Sequence, residues 1–316
     1  MAVLAVEAPK PPRGKPPIKQ PEKMKVYLEK MATYKAWLAG HSTIDVVGSG
    51  VNSQALEIIA PPETEETDAE RVLRISGRFD IMWRYTLAVS NGKCRSFIIS
   101  GAPGVGKSYT IEQVLSAKKE EGELNYRIVS GAVTGIELYK ALYIGRSQDY
   151  VLVLDDADGI FLDNNGVSIL KAALDSKKVR NISWLSNANQ LKGVPDQFQY
   201  EGRMIFITNL SFDQYAPTSK LGTHMKAFRD RSVYLDLCLH TKRDIMAWVL
   251  NLVTKNHLLV QLDLSYEQEK MILDFMQENR DKFKSLSVRT AMALARHFTL
   301  FGKEWEASAK QLFLEA

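Results

Sequence analysis

An α/β fold is predicted, a parallel five-stranded sheet flanked by helices and followed by an all-helical C-terminal segment, and three features of the chain predict it. Five short apolar runs ("RSFIIS", "NYRIVS", "DYVLVLDD", "RMIFITN" and "SVYLDL") are separated mostly by helix-patterned stretches. Apolar runs of this length without polar alternation belong to strands covered on both faces, and helices between them make the strands parallel. From His240 onward only helical periodicity remains, in "TKRDIMAWVLNLVTKN", "SYEQEKMILDFMQENRDKF", "SVRTAMALARHF" and a last piece reaching Ala316.

The elements follow in order. Pro9 to Pro21 is proline-rich and basic. This composition gives either a plain disordered tail or a PPII-like arm for an acidic partner. "MKVYLEKMATYKAWLAG", Met24 to Gly40, reads as a short helix stopped by glycine. The acidic "APPETEETDAE", Ala60 to Glu70, reads as a linker. "GRFDIMWRYTLAVSNGK" is a helix ending on Asn91-Gly92, and further helices start at Lys107, Gly135 and Val167. The resulting organisation is a basic arm over 1–22, a small N-terminal segment with its linker over 23–70, an α/β domain over 71–238 and a helical domain over 239–316. No internal repeat is present.

With 316 residues, 45% hydrophobic and 25% charged, the chain has the composition of an ordinary globular protein. A net charge of +4 permits contact with nucleic acid but is too small to argue for it. Cys94 and Cys238 make neither a disulfide framework nor a metal-ligand cluster, which points to a reducing, cytoplasmic setting. No apolar run approaches the length of a membrane helix, and the N-terminus lacks the pattern of a signal peptide.

"GAPGVGKS", Gly101 to Ser108, fits G-x-x-x-x-G-K-[ST] and lies between a predicted strand and a predicted helix. Glycines there let successive backbone N–H groups turn inward around phosphate oxygens with no Cβ in the way. The phosphate-binding stretch is therefore Gly101, Ala102, Pro103, Gly104, Val105, Gly106, Lys107, Ser108 and Tyr109. Lys107 supplies a cation for the β- and γ-phosphates and Ser108 a hydroxyl for Mg²⁺, while the following helix N-terminus favours the anion. "VLVLDDAD" then places Asp155 and Asp156 at the C-terminal end of a buried strand, where ligands bind in open α/β sheets. Asp155 is the second magnesium residue, and Asp156 orients or deprotonates the attacking water. Asp158 and Asp163 read as loop and cap residues.

On these motifs the chain resembles the AAA+ ATPases, whose P-loop has the form G-x-P-G-x-G-K-[ST]. The resemblance runs from about Arg71 to Phe298 and implies an α/β domain followed by a helical lid. It assigns Asn209, after "RMIFITN", to positioning water. It also implies that Arg231 in "AFRDRSVYLDL", with Arg229 in reserve, reaches the nucleotide of a neighbouring subunit, and that Arg289 in "LSVRTAMALARHF" senses the γ-phosphate in cis. Three departures bear on function. Asp156 stands where glutamate is commoner, so hydrolysis is slow or needs a neighbour. The loop "GAVTG" lacks the aromatic with which polypeptide-threading members grip. The insert "KKVRNISWLSNANQLKGVPDQFQYEG" carries Lys177, Lys178, Arg180, Trp184 and Lys192, a mixture that suits single-stranded nucleic acid or a hairpin packed on a neighbouring subunit.

Absence of a second α/β lobe argues against a two-lobed helicase, and no LSGGQ-like signature supports a transporter ATPase. What the resemblance implies is an ATP- and Mg²⁺-dependent ATPase that forms a homo-oligomeric ring, a hexamer or another open or closed oligomer. It would remodel or load a nucleoprotein assembly, as in DNA replication, with nucleic acid meeting residues 177–192. A slow ATP-dependent switch and a chaperone of a protein complex, recruiting its client through the N-terminal arm, are the alternatives.

Overall fold

The five expected strands form one parallel sheet in a computed structural model that describes residues 66–185, 191, 193–216 and 218–315. The Pro9–Pro21 arm, the helix expected over Met24–Gly40, most of the acidic linker and Lys192 lie outside the described residues. The sheet contains β1 (Ser96–Ser100), β2 (Asn125–Ser130), β3 (Tyr150–Asp155), β6 (Arg203–Thr208) and β7 (Val233–Asp236), in spatial order β2-β3-β6-β1-β7. Register aligns Ser100 of β1 with Thr208 of β6 and Asp236 of β7, and Asp155 of β3 with Ile207 of β6. All the C-terminal strand ends therefore share one edge.

Side chains alternate across the sheet and build two layers. Ile98, Leu152, Leu154, Met204 and Phe206 face one way, packing with α3 (Gly135–Ile144), α4 (Asn164–Ala173) and α5 (Lys220–Arg229). Phe97, Ile99, Val151, Val153, Ile205 and Ile207 face the other, under α1 (Asp68–Ser90) and α2 (Lys107–Glu120). The last helices are α6 (Lys242–Asn256), α7 (Tyr266–Glu278), α8 (Val288–Phe301) and α9 (Trp305–Phe313). They enclose a separate cluster around Met246, Val249, Ile272, Phe275, Leu294 and Trp305. No helix among the described residues is long and apolar enough to cross a membrane.

Two sequence expectations change. α1 starts at Asp68, nine residues before the Gly77 start, because "TDAE" is a capping box and not the end of a linker. The Thr67 N–H donates to Glu70 Oε2 at 2.8 Å, and the Glu70 N–H donates to Thr67 Oγ1 at 3.3 Å. The basic insert forms the antiparallel hairpin that was one of its readings, β4 (Arg180–Ser183) and β5 (Gln197–Tyr200), but it packs on its own domain. Arg180, expected as a nucleic-acid contact, is 2% exposed. It donates to the carbonyls of Ala173 (2.7 Å), Gly202 (2.6 Å) and Tyr200 (3.3 Å), and stacks on the Tyr200 ring. The Trp184 ring lies 5.9 Å from that of Tyr139 and packs against the core. Lys177 and Lys178 remain exposed.

Arg203 has a similar structural role at the start of β6. Its guanidinium donates to the carbonyls of Val89 (2.5 Å), Ser90 (2.6 Å) and Gln148 (2.5 Å), joining the end of α1 to the loop before β3. Burial lowers its pKa, yet these acceptors hold the cation in place. Arg203→Met would leave three main-chain carbonyls without their donor. A loss of about 2–4 kcal/mol is expected in urea unfolding, whereas Lys178→Met at the exposed turn should stay within about 0.5 kcal/mol of wild type.

Candidate functional site

The strand order brings the sequence motifs together. β6 lies between β1 and β3, so the P-loop after β1, the acidic pair closing β3 and Asn209 after β6 meet at the shared edge. Gly104 and Gly106 have φ of +67° and +101°, left-handed values that most other residues would strain to adopt. Gly106 is the N-cap of α2, and no side chain caps that helix. Its first amides are therefore left for an anion.

Lys107 is 5% exposed, folded back along the loop. Its ammonium donates to Gly101 O at 2.6 Å, Ala102 O at 2.8 Å and Asn209 Oδ1 at 2.8 Å. Burial lowers its pKa to about 8 against the pull of Asp156 and Asp155. The amide of Asn209 donates in turn to Asp156 Oδ1 at 2.8 Å. Lys107, Asn209 and Asp156 thus form a continuous hydrogen-bonded chain across three strand ends. Asp156 has a left-handed φ of 52°, and its N–H donates to Ile207 O at 3.0 Å.

Beside this chain, Ser108 Oγ donates to Asp155 Oδ1 at 3.0 Å. Burial raises the Asp155 pKa, and the Ser108 hydrogen bond opposes it. A hydroxyl and a carboxylate are the hard oxygen donors that Mg²⁺ prefers, so the pair fits that ion.

Arg289 also joins the site. Its Cδ is 3.8 Å from where a Cβ on Gly104 would stand, and its charge acts on both Lys107 and Asp155. It borders a cleft of about 370 Å³ between Pro103 and Gly104 of the loop and the start of α8. Arg231 is elsewhere. It precedes β7 at the opposite edge of the sheet, is exposed, and donates to Ala227 O at 2.8 Å. Arg229 is committed to Asp213 at 2.9 Å and to the face of Tyr234.

Three site residues were not found from sequence. Asp158, read as a loop residue, hydrogen-bonds with the Thr208 side chain and the Asn209 backbone. Burial raises its pKa, and its Oδ1 is buried with no partner. The run of aspartates in "DDAD" was the available signal. Trp248 on α6 donates its indole N–H to Val105 O at 3.1 Å, which its apolar helix pattern does not distinguish from plain core. Ser287 caps α8 and packs beneath Gly104, where a Cβ would meet its own Cβ at 2.7 Å. Asp163 is the cap it was expected to be, accepting from Asn165 N at 2.9 Å, and it also accepts from Gly135 N at 2.7 Å.

No family model matches the chain. A curated relative is the uncharacterized 36.7 kDa protein of the nrdC-mobD intergenic region of Enterobacteria phage T4. It is 34% identical over 250 residues, which cover 78% of this chain and 77% of the relative. Similar solved structures include a DNA replication initiation factor, 14% identical over 78% of this chain and 68% of the other, with a TM-score of 0.45. AMPPCP-bound DnaA from Aquifex aeolicus is 12% identical over 79% and 69%, with a TM-score of 0.44. Domain III of the Thermotoga maritima replication initiation protein DnaA is 13% identical over 75% and 92%, also with a TM-score of 0.44.

The depressed Lys107 pKa makes stability depend on pH. Between about 8 and the ordinary 10.5, the unfolded chain keeps a proton that the folded one has shed, so stability rises with pH. It is lost again as pH falls through 8, where the folded protein carries the buried charge. Without nucleotide, wild type should gain on the order of 1–3 kcal/mol over this window relative to Lys107→Met. Urea titrations at several pH values measure the difference, and a flat one would show that the three acceptors keep the ammonium charged.

Proposed function

The chain belongs to the same family as the uncharacterized 36.7 kDa phage T4 protein, and we propose that it is an ATP-binding, ATP-hydrolysing protein of AAA+ type. The observation that carries this reading is the Lys107–Asn209–Asp156 chain, with the Ser108–Asp155 pair beside an uncapped helix N-terminus. In this reading the triphosphate lies against the loop amides. Lys107 exchanges its carbonyl partners for β- and γ-phosphate oxygens, a competition that favours the anion because its charge is uncompensated by the carbonyls. Ser108 and Asp155 hold Mg²⁺, which when bound neutralises phosphate charge. Asp156 accepts the proton of the attacking water, and Asn209 orients both groups. Asp158 positions Asn209 through its backbone. Arg289 approaches the γ-phosphate from the helical lid.

Arg231 has no path to this site within one copy. A strand of this length spans about 13–17 Å at roughly 3.3 Å per residue, well beyond the reach of one side chain. We therefore assign it to the nucleotide of a neighbouring copy in a ring-shaped oligomer. The client in this reading is a nucleoprotein assembly of the kind handled in DNA replication. Its support is the gripping aromatic missing from "GAVTG" and the exposed Lys177 and Lys178. A slow switch is the second reading, favoured by the short Asp156 side chain held by Asn209. ATP turnover alone and with single-stranded DNA, at low and moderate salt, separates the two. Salt-sensitive stimulation supports nucleoprotein remodelling, whereas turnover below about one per minute throughout supports the switch.

Lys107→Ala should abolish ATP binding in equilibrium dialysis, and unchanged affinity would remove the site assignment. Arg231→Ala should leave binding intact while reducing turnover about 10³-fold or more. Mixing it with Asp156→Asn subunits should restore activity at interfaces that pair two intact halves, and the absence of any recovery would count against a shared site.

A further inference from the structure

Beyond the P-loop edge, the end of β7 gathers three different metal-ligating side chains. Asp236, Cys238 and His240 each bring a ligand atom within 4.8 Å of the other two. The sequence produces this by alternation. In Asp236-Leu237-Cys238-Leu239-His240 the two leucines are 0% and 3% exposed, inserted into the core layer shared with β1. The intervening residues are less buried: Asp236 and Cys238 are half-buried and His240 is exposed, with Cys238 at a left-handed φ of 53° just past the end of β7.

The donor atoms are already oriented. Asp236 Oδ1 accepts the Cys238 N–H at 2.7 Å, and Asp236 Oδ2 accepts Ser211 Oγ at 3.1 Å. His240 Nε2 lies 3.6 Å from Asp236 Oδ1. Two ligands bound at about 2.0–2.1 Å in a tetrahedral shell stand roughly 3.4 Å apart, so this pair already stands near ligand spacing. The nearby arginines bind main-chain oxygens and leave the donor atoms free of them. Arg78 donates to Asp236 O at 2.6 Å and Arg74 to Cys238 O at 3.3 Å. The Arg74 charge is met by Glu66 and Asp244.

We propose that Asp236, Cys238 and His240 form a Zn²⁺ site with three protein ligands and a fourth position open to water. Thiolate with imidazole and carboxylate suits Zn²⁺, whereas Mg²⁺ prefers an all-oxygen set. A count of two cysteines passes over this site because a single cysteine joins two other ligand types. Its place in the fold gives it a structural consequence. The Leu237 N–H donates to Ser100 O at 2.9 Å, immediately before the P-loop, and Thr241 after His240 is the N-cap of α6. The metal would fasten the last strand to the start of the helical segment. This holds whether or not the ATP reading does.

The test uses the full chain without an affinity tag. The protein is incubated with zinc chloride, dialysed and assayed for metal by mass spectrometry, and in parallel titrated with Co²⁺. Wild type should retain one equivalent of zinc and show a thiolate-to-cobalt charge-transfer band. Cys238→Ser should lose the band. His240→Asn, whose side chain is half exposed and so does not threaten folding, should weaken zinc binding about tenfold or more. Ser211→Ala should weaken it about 10–100-fold through the carboxylate it orients. Asp155→Asn should change none of these. The proposal is overturned if wild type retains no zinc, if Cys238→Ser and His240→Asn bind it unchanged, or if Asp155→Asn abolishes binding.

Discussion

A buried ammonium organises this molecule. Lys107, 5% exposed, needs acceptors on every side, and the chain supplies them from the loop carbonyls and from Asn209. That is possible only because β6, though late in sequence, is inserted between β1 and β3. A sheet laid down in chain order would keep β6 beside β3 but separate it from β1, leaving Asn209 far from the loop. Strand order, and not the motif alone, therefore makes the charge tolerable. The same order places Ser108 against Asp155 without any further device.

A second constraint acts from the helical segment. Two carbonyls of the P-loop are held from outside the sheet, Gly104 O by the Val288 N–H at 3.0 Å and Val105 O by Trp248. Gly104 is needed twice, for its left-handed φ and because Ser287 occupies the place of any side chain. At the other side, Asp244 joins α6 to α1. It accepts from Arg71 at 2.9 Å and Arg74 at 2.7 Å while completing the capping box with Thr241. Burial opposes the Asp244 charge, but Thr241, Arg71 and Arg74 together hold its pKa below the ordinary range. The N-terminal half of α6 is thus tied to α1 through Asp244 and to the loop through Trp248.

Much of this was legible in the sequence because the relevant signals are local. All five strands of the sheet, the starts of α2 and α3, the loop and the two aspartates after β3 were read from apolar runs and one motif. What escaped depends on partners distant in sequence. The capping box at Thr67 looked like linker because its acidic residues continue a charged run. The β4–β5 hairpin was one of two readings of its insert, but its packing on its own domain was not, and Arg180 looked like a surface cation until its three carbonyl acceptors from Ala173, Tyr200 and Gly202 were in place. Asp158 gave no sign that its carboxylate would meet Thr208 and Asn209, about fifty residues onward. Such contacts come from topology, which periodicity does not encode.

The indole of Trp248 carries one more consequence. It stacks on Phe79 with ring centroids 4.4 Å apart, is 4% exposed, and its N–H ends on a P-loop carbonyl. A chromophore wired to the loop in this way is a built-in optical gauge. Any rearrangement that pulls Val105 away changes the polarity and hydrogen bonding seen by the ring, so in a variant whose other four tryptophans are replaced by phenylalanine, emission from Trp248 reports loop position with no label attached.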